Sequence, residues 1–206
     1  MGSCDLQSCY DRIVHAFVSL DMRRAGAAES STISMFSTIQ QLKPRVWTAF
    51  GDSQDSFGGE EWREVEALME VGQGNSVGPA IWVVLSTVFF DILRSNGFGA
   101  LLTDPFSKHA VRIAGFSFVD DTDLIQTGLS REDYWDVATK LQSAVNLWEV
   151  YTEVSGGCLV PNKSWWTLVD FTWDEGKWHY TSDMDDVHLF IKDATGIETE
   201  LVQLAS

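Results

Sequence analysis

The residues with the clearest potential for chemistry are three aspartates within four positions, Asp120, Asp121 and Asp123. They lie in the largely apolar stretch "AGFSFVDDTDLIQTG", residues 114–128. Two carboxylates about 4 Å apart repel each other by roughly 4 kcal/mol at an effective dielectric of about 20. A divalent cation reverses this effect, and Mg²⁺ favours one or two carboxylates together with water and substrate phosphates. The cluster therefore indicates either a metal site or an ordinary turn, since aspartate also favours turns.

The segments on both sides of these aspartates predict a β-hairpin. "VRIAGFSF" and "TDLIQTG" have the composition of strands, and the aspartates would occupy the tight turn between them. Because side chains alternate along a strand, only one of two adjacent aspartates can point fully to a given side. A third carboxylate from a neighbouring strand would complete a metal site.

The other elements predict an α+β fold. Apolar periodicity and terminal residues indicate four helices, at about residues 10–24, 31–41, 79–96 and 131–154. The third helix is apolar on nearly every side and is expected to be buried, and the fourth is expected to begin at an N-cap, Ser130. "MGSCDL" and "RVWTAF" are predicted as strands. The expected architecture is an antiparallel sheet with helices packed on one face.

The segment after residue 164 is predicted to form two β-hairpins. "WWTLVDFTW…KWHY" alternates in part around an Asp-Glu-Gly turn, and "VHLFIKDATGIETELVQL" is similar in pattern. The hairpin tryptophans are predicted as core residues rather than base-stacking surfaces; they are Trp165, Trp166, Trp173 and Trp178.

Four blocks of the sequence, in this order, resemble the palm domain of the reverse transcriptases of retroelements. "CDLQSCYDRI" is similar to the first palm motif, an aspartate followed five residues later by an aromatic residue. "GQGNSVGPAIW" is similar to the Gln-Gly…Pro-Ala motif that leads into a helix. "FSFVDDTDLI" is similar to the aromatic-x-Asp-Asp turn, and "SGGCLVPNKSWW" to the Gly-x-x-Leu-x-x-Asn-x-Lys segment. The resemblance covers residues 5–164 and implies a polymerase palm-like fold.

This resemblance implies an RNA-directed DNA polymerase that transfers a nucleotide from a dNTP to a primer 3′-hydroxyl. Two Mg²⁺ ions, with Mn²⁺ as an alternative, would be the cofactors. By position in the motifs, Asp5 and Asp120 would be the principal metal ligands and Asp121 the auxiliary carboxylate. Lys163 would lie near the pyrophosphate and protonate it; a solvated surface lysine is the alternative.

Further residues acquire roles from the same resemblance. The backbone carbonyl of Leu6 would reach a metal ion, and Tyr10 would pack under the sugar and exclude a 2′-hydroxyl. Gln73 and Gly74 would lie against the nucleotide. A core aromatic residue is the alternative for Tyr10, and a polar loop residue is the alternative for Gln73. Asp123 is predicted to be structural.

Charge limits what the chain is expected to do alone. Its net charge of −16 is not the basic footprint of a self-sufficient nucleic-acid binder. Residues 1–164 are predicted as the palm-like domain and 165–206 as a C-terminal hairpin extension, while segments similar to the family's fingers and thumb are missing. The implied partners are an RNA template, a DNA primer and dNTPs. Because phosphate contacts come mainly from lysine and arginine, we expect weak or no processive activity from the isolated chain.

Two other functions remain open on the sequence. A non-catalytic retroelement relic or interaction module would keep the palm fold, and an acidic metal-binding domain unrelated to polymerases would carry similar aspartates. The ordered blocks argue against the unrelated domain. The joint presence of Asp5, Asp120 and Asp121 favours a catalytic domain over a decayed relic.

The cysteines and the N-terminus indicate an intracellular protein. Cys4, Cys9 and Cys158 are odd in number and irregularly spaced, which suits a reducing compartment, and a zinc site is not indicated. The sequence does not choose between nucleus and cytoplasm. It has no run of 18 or more apolar residues and begins without signal-peptide features, so no membrane partner is expected.

Overall fold

The computed structural model describes residues 1–7, 10–43, 45, 47–54, 77–118, 121–128, 133–181 and 186–204. The chain divides into two compact units. We call Tyr10–Leu85 the insert unit, and Met1–Cys9 together with Ser86–Ser206 the sheet unit.

The described residues form four α-helices, a short 3-10 turn and thirteen strands. The helices are α1 (His15–Arg24), α2 (Glu29–Gln41), α3 (Gly78–Ser95) and α4 (Tyr134–Val154), and the 3-10 turn is Pro161–Lys163. The strands are β1 (Gly2–Asp5), β2 (Trp47–Thr48), β3 (Gly51–Asp52), β4 (Ala100–Thr103), β5 (Ala110–Ile113), β6 (Gly115–Phe118), β7 (Asp121–Leu124), β8 (Trp165–Trp166), β9 (Asp170–Asp174), β10 (Lys177–Thr181), β11 (Phe190–Lys192), β12 (Glu198–Glu200) and β13 (Val202–Gln203). The predicted α+β class is therefore confirmed.

A five-stranded sheet is the centre of the sheet unit. Its order is β13-β8-β1-β7-β6, so the first strand of the chain lies between strands that come much later. Strands β8, β1, β7 and β6 are antiparallel neighbours with the connectivity of a split βαβ motif. At the far edge β13 runs parallel to β8. The prediction of a purely antiparallel sheet was wrong because the chain returns to this edge after its last hairpin.

Helix α4 covers one face of this sheet. A Cβ placed on Gly2 would lie 3.6 Å from Val145, so β1 and α4 are in close contact there. Trp148 of α4 is fully buried, and its ring packs edge-on against Phe89 at 5.4 Å between centroids. Phe90 contacts the same indole at 5.2 Å. Burial of these large apolar side chains contributes to the stability of the unit.

The ends of α4 differ in part from the prediction. Asp133 is the N-cap, and its side chain accepts a hydrogen bond from the backbone N–H of Asp136. The proposed cap, Ser130, lies outside the described residues. At the other end Gly156 has φ +95° and the Gly157 N–H donates to the carbonyl of Thr152. This Schellman arrangement ends the helix where the Ser-Gly-Gly sequence predicted.

Helix α3 was expected to be buried on nearly all sides, and the structure shows a more amphipathic helix. One stripe is buried, and it consists of Ile81, Trp82, Leu85, Phe89, Phe90 and Leu93. The other side is exposed and carries an ion pair between Arg94 and Asp91 at 2.8 Å. Among the described helices, α3 alone has the length and apolar composition of a membrane span. Core helices of soluble proteins also have this length and composition.

The insert unit contains α1, α2, the small β2–β3 hairpin and the beginning of α3. His15 and Phe36 join α1 to α2, with ring centroids 5.0 Å apart. Helix α1 begins at His15 rather than near residue 10; its Val18 is buried and its Leu20 is exposed. The region predicted as one strand, "RVWTAF", contributes the short strand β2.

The C-terminal region forms hairpins, as predicted, but with different tryptophan environments. Trp165 and Trp166 are not hairpin residues, since their strand β8 pairs with β1 in the main sheet. Trp166 is buried there. Trp173 and Trp178 do lie in the β9–β10 hairpin, yet both are exposed, so their prediction as core residues was wrong.

Glu149 makes the stability of this fold depend on pH. It is buried on α4, where one carboxylate oxygen accepts a hydrogen bond from the Lys192 N–H, and burial raises the pKa of the Glu149 carboxyl. The folded state then binds this proton more tightly than the unfolded state, so stability falls as pH rises through the raised pKa. We expect Glu149→Gln, which keeps an acceptor, to raise the melting temperature by a few degrees at about pH 7 and by less at about pH 4.

Thermal unfolding at the two pH values measures this difference. The control is Glu175→Gln, which removes an exposed carboxylate from the β9–β10 turn. An equal change for Glu149→Gln at both pH values would contradict the assignment.

Candidate functional site

The strand that ends at Asp5 pairs directly with the strand that follows the aspartate pair. β1 and β7 are antiparallel, and the Cα of Asp5 lies opposite the Cα of Asp121. β7 also pairs with β6, where Phe118 is opposite Asp121. Residues directly opposite each other in antiparallel strands share a face, with Cβ atoms about 4.5–5.5 Å apart. The sheet therefore brings together two carboxylates whose positions in the sequence are far apart.

Asp5, Asp121 and Asp123 share the face of the sheet that α4 does not cover. Along β1 and β7 the alternate residues, such as Cys4 and Thr122, are fully buried. Asp121 is exposed, whereas Asp5 and Asp123 are half-buried. We call these three residues the carboxylate face.

The position of Asp123 was not expected from the sequence. Asp123, which is predicted to be structural, lies opposite Ser3 of β1 and Phe116 of β6, on the carboxylate face. The signal that sequence reasoning passed over is its spacing of two from Asp121, which places both on one side of a strand. Phe116 and Phe118 are exposed beside these aspartates on the edge strand β6.

The segment between α4 and β8 holds the end of β1 in place. The carbonyl of Asp5 accepts a hydrogen bond of 3.0 Å from the Val160 N–H. The Asp5 N–H donates to the hydroxyl of Ser164, at 3.2 Å, and that hydroxyl donates to the Val160 carbonyl, at 2.9 Å. Both backbone groups of Asp5 are thus fixed, and three of the four motif blocks meet at this point.

Lys163 is placed at the carboxylate face by the 3-10 turn. Its Nζ lies 3.7 Å from Oδ1 of Asp5; the lysine side chain is 68% exposed and the aspartate side chain 13%. An ion pair with so exposed a partner contributes at most about 1 kcal/mol to stability. Lys163 is therefore a largely exposed cation beside a carboxylate whose backbone is held, an arrangement that allows contact with an anion near Asp5.

Leu6 and Cys4 flank Asp5 along the chain. Leu6 is buried and forms an isolated bridge with Leu159. The hydrogen bonds of this bridge join Gln7 to Cys158 and Val160 to Asp5, so they do not use the Leu6 carbonyl. Cys4 points away from the carboxylate face. Burial, together with the nearby Asp123 carboxylate, raises the pKa of the Cys4 thiol to about 12. Cys4 therefore stays protonated and serves as a small core residue.

Tyr10 lies in the insert unit and packs against the beginning of α3. A Cβ added to Gly78 would lie 3.3 Å from Cδ1 of Tyr10, so the glycine permits close contact with the ring. Tyr10 is half-buried, which leaves part of its side chain accessible. The residues predicted to lie against the nucleotide, Gln73 and Gly74, are outside the described residues.

The carboxylate face has like charges at close range. Asp120, the predicted principal ligand with Asp5, lies outside the described part of the chain. Within that part no three His, Cys, Asp or Glu side chains are grouped closely enough to hold a metal ion. The described donors are the facing carboxylates of Asp5 and Asp121, with Asp123 beside them. Like charges directly opposite each other destabilise a sheet, and a divalent cation would remove that cost.

The chain matches no protein-family model. A search of curated proteins also found no match.

Proposed function

We propose that the chain is the palm-like domain of an RNA-directed DNA polymerase, which transfers a nucleotide from a dNTP to a primer 3′-hydroxyl. The observation that supports this most directly is the register of β1 and β7, in which Asp5 faces Asp121. Motifs that are separate in the sequence supply these two strands. A polymerase site of this kind requires the two strands to be neighbours. Two aspartate-containing segments that resembled the motifs by chance would have no reason to pair.

The carboxylate face has the donors that hard divalent cations prefer. Asp5 and Asp120 would hold Mg²⁺, Asp121 would assist, and the Leu6 carbonyl is a further oxygen donor. When bound, Mg²⁺ supplies charge neutralisation of the triphosphate and activation of the primer hydroxyl. The chain's own part is to hold the carboxylates. The hydrogen bonds from Val160 and to Ser164 fix the Asp5 backbone before any ligand arrives.

Other side chains would act on the nucleotide. Lys163, 3.7 Å from Asp5, would stay close to the leaving pyrophosphate and donate a proton to it. Tyr10 would lie under the sugar, and Gln73 and Gly74 would lie against the nucleotide. The net charge of −16 opposes binding of primer and template, so the isolated chain would incorporate nucleotides weakly.

Paramagnetic Mn²⁺ tests the metal site in this chain without any need for activity. We expect Mn²⁺ to broaden the amide resonances of Asp5, Leu6 and Asp121 at concentrations that leave the rest of the spectrum unchanged. Asp5→Asn and Asp121→Asn should each weaken this binding by about tenfold or more, because each removes a negatively charged donor while keeping the side-chain shape.

The matched control is Asp52→Asn, which removes an exposed strand carboxylate from the insert unit. It should leave the Mn²⁺ titration unchanged. Broadening that is spread over the acidic surface, or that survives Asp5→Asn, would contradict the proposed metal site.

A further inference from the structure

The β9–β10 hairpin presents four aromatic side chains on one face. Phe171 lies opposite Tyr180, and Trp173 lies opposite Trp178, in antiparallel register. The ring centroids of these pairs are 5.5 Å and 5.0 Å apart. Because the two members of each strand are two positions apart, all four rings share a face. We call these four residues the aromatic face.

Water reaches most of the aromatic face. The exposed fractions are 57% for Phe171, 59% for Trp173, 66% for Trp178 and 41% for Tyr180. The strands β9 and β10 form a two-stranded sheet of their own. Cross-strand aromatic pairs stabilise a hairpin, yet these pairs leave their outward surfaces uncovered. Contiguous exposed aromatic surface of this kind marks an interaction site.

Charge around the aromatic face selects the kind of partner. The hairpin itself, residues 170–181, contains three acidic residues and one lysine, Lys177, which lies opposite Asp174. Asp170 and Asp174 lie at the two ends of β9, on the face opposite the rings, and Glu175 lies in the turn. A second copy of the chain would bring a like-charged hairpin and a net charge of −16 to the contact. A nucleic acid is a polyanion. Charge repulsion therefore disfavours both a second copy of the chain and a nucleic acid as the partner.

We propose that the aromatic face binds an arginine- or lysine-rich peptide segment of a protein partner. A guanidinium or ammonium group placed over a tryptophan ring is attracted by the ring quadrupole, most strongly for Trp. The excess of acidic residues on the hairpin and the net charge of −16 would attract further cations of the same segment. The aromatic rings and the acidic charge of the hairpin are together complementary to a cationic peptide and not to an anionic ligand. This binding is separate from the polymerase reaction proposed above and does not depend on it.

A fluorescein-labelled peptide of alternating arginine and glycine tests the proposal by fluorescence anisotropy. The intact chain should bind this peptide, and a matched peptide with glutamine in place of arginine should bind at least about tenfold more weakly. Trp173→Thr and Trp178→Thr, which keep strand propensity, should each raise the Kd by about tenfold. Asp174→Asn combined with Glu175→Gln leaves the rings in place and should also raise the Kd and reduce its salt dependence.

Trp47→Thr is the matched control, since Trp47 is an exposed hairpin tryptophan of the insert unit and is 83% exposed. It should leave the Kd unchanged. The proposal would be overturned by any of three results: equal binding of the glutamine peptide, tighter binding of single-stranded RNA or DNA to the same face, or a dimer in gel filtration that Trp178→Thr dissociates.

Discussion

Asp120→Ala is expected to abolish Mg²⁺-dependent incorporation of a single deoxynucleotide onto a primed RNA template. The expected loss is about a thousandfold or more, equivalent to about 4 kcal/mol of transition-state stabilisation. Asp120 precedes Asp121, whose strand places it opposite Asp5, so the substitution removes the carboxylate predicted to share the metal with Asp5. Asp5→Asn should cause a loss of similar size, because both ligands are required for the same charge neutralisation.

The acidic charge of the chain determines how this experiment is designed. Weak binding of primer and template would hide the chemistry, so the chain is best fused through a flexible linker to a basic module that binds RNA–DNA hybrids. Such a fusion raises the effective concentration of primer near the site without changing the site itself. Single-nucleotide incorporation is the suitable readout, because it does not require processive synthesis.

Asp52→Ala serves as the control in the same fusion, since it removes an exposed carboxylate of the insert unit. Its incorporation rate should equal that of the wild type. Activity that survives Asp120→Ala would refute the assignment of the site. A wild-type fusion that binds Mn²⁺ at Asp5 but incorporates no nucleotide would refute the polymerase activity and leave the metal site standing.

Local patterns in the sequence were sufficient for the elements around the candidate site. Strand composition on both sides of the aspartates predicted the β6–β7 hairpin, although the structure divides "VRIAGFSF" between β5 and β6. The end of α4 was predicted from Ser-Gly-Gly. Both are determined by residues close together in the chain, by side-chain period and by backbone freedom at glycine. The α+β class followed from the order of these elements.

Contacts between distant segments could not be obtained from the same patterns. Nothing local in "WW" shows that β8 is a two-residue strand beside β1, rather than the beginning of a hairpin. The exposed positions of Trp173 and Trp178 were also missed, because a large apolar residue is expected inside until a partner element is known. Only the family resemblance predicted that Asp5 lies close to the aspartate hairpin. The register of β1 and β7, which places Asp5 opposite Asp121, comes from the structure.

Gly115→Ala is expected to destabilise the sheet unit by about 2–3 kcal/mol or more. Gly115 begins β6, opposite Leu124 of β7. A Cβ at this position would collide with the backbone carbonyl oxygen of Asp123 and would lie 3.0 Å from a ring carbon of Phe90. A ring can turn away, but a strand carbonyl can move only if β6 and β7 separate. The substitution should therefore disturb the hairpin that carries the aspartates.

Gly2→Ala is a closely matched control, because Gly2 lies opposite the same Leu124 from the other side, on β1. A Cβ there would meet Val145 and Leu141 at 3.6 and 3.7 Å, which are ordinary contact distances. Its free energy of unfolding should change by less than about 1 kcal/mol. Denaturant titration of both variants measures the difference, and equal destabilisation would show that β6 and β7 are not held at the close separation on which the register of Asp121 depends.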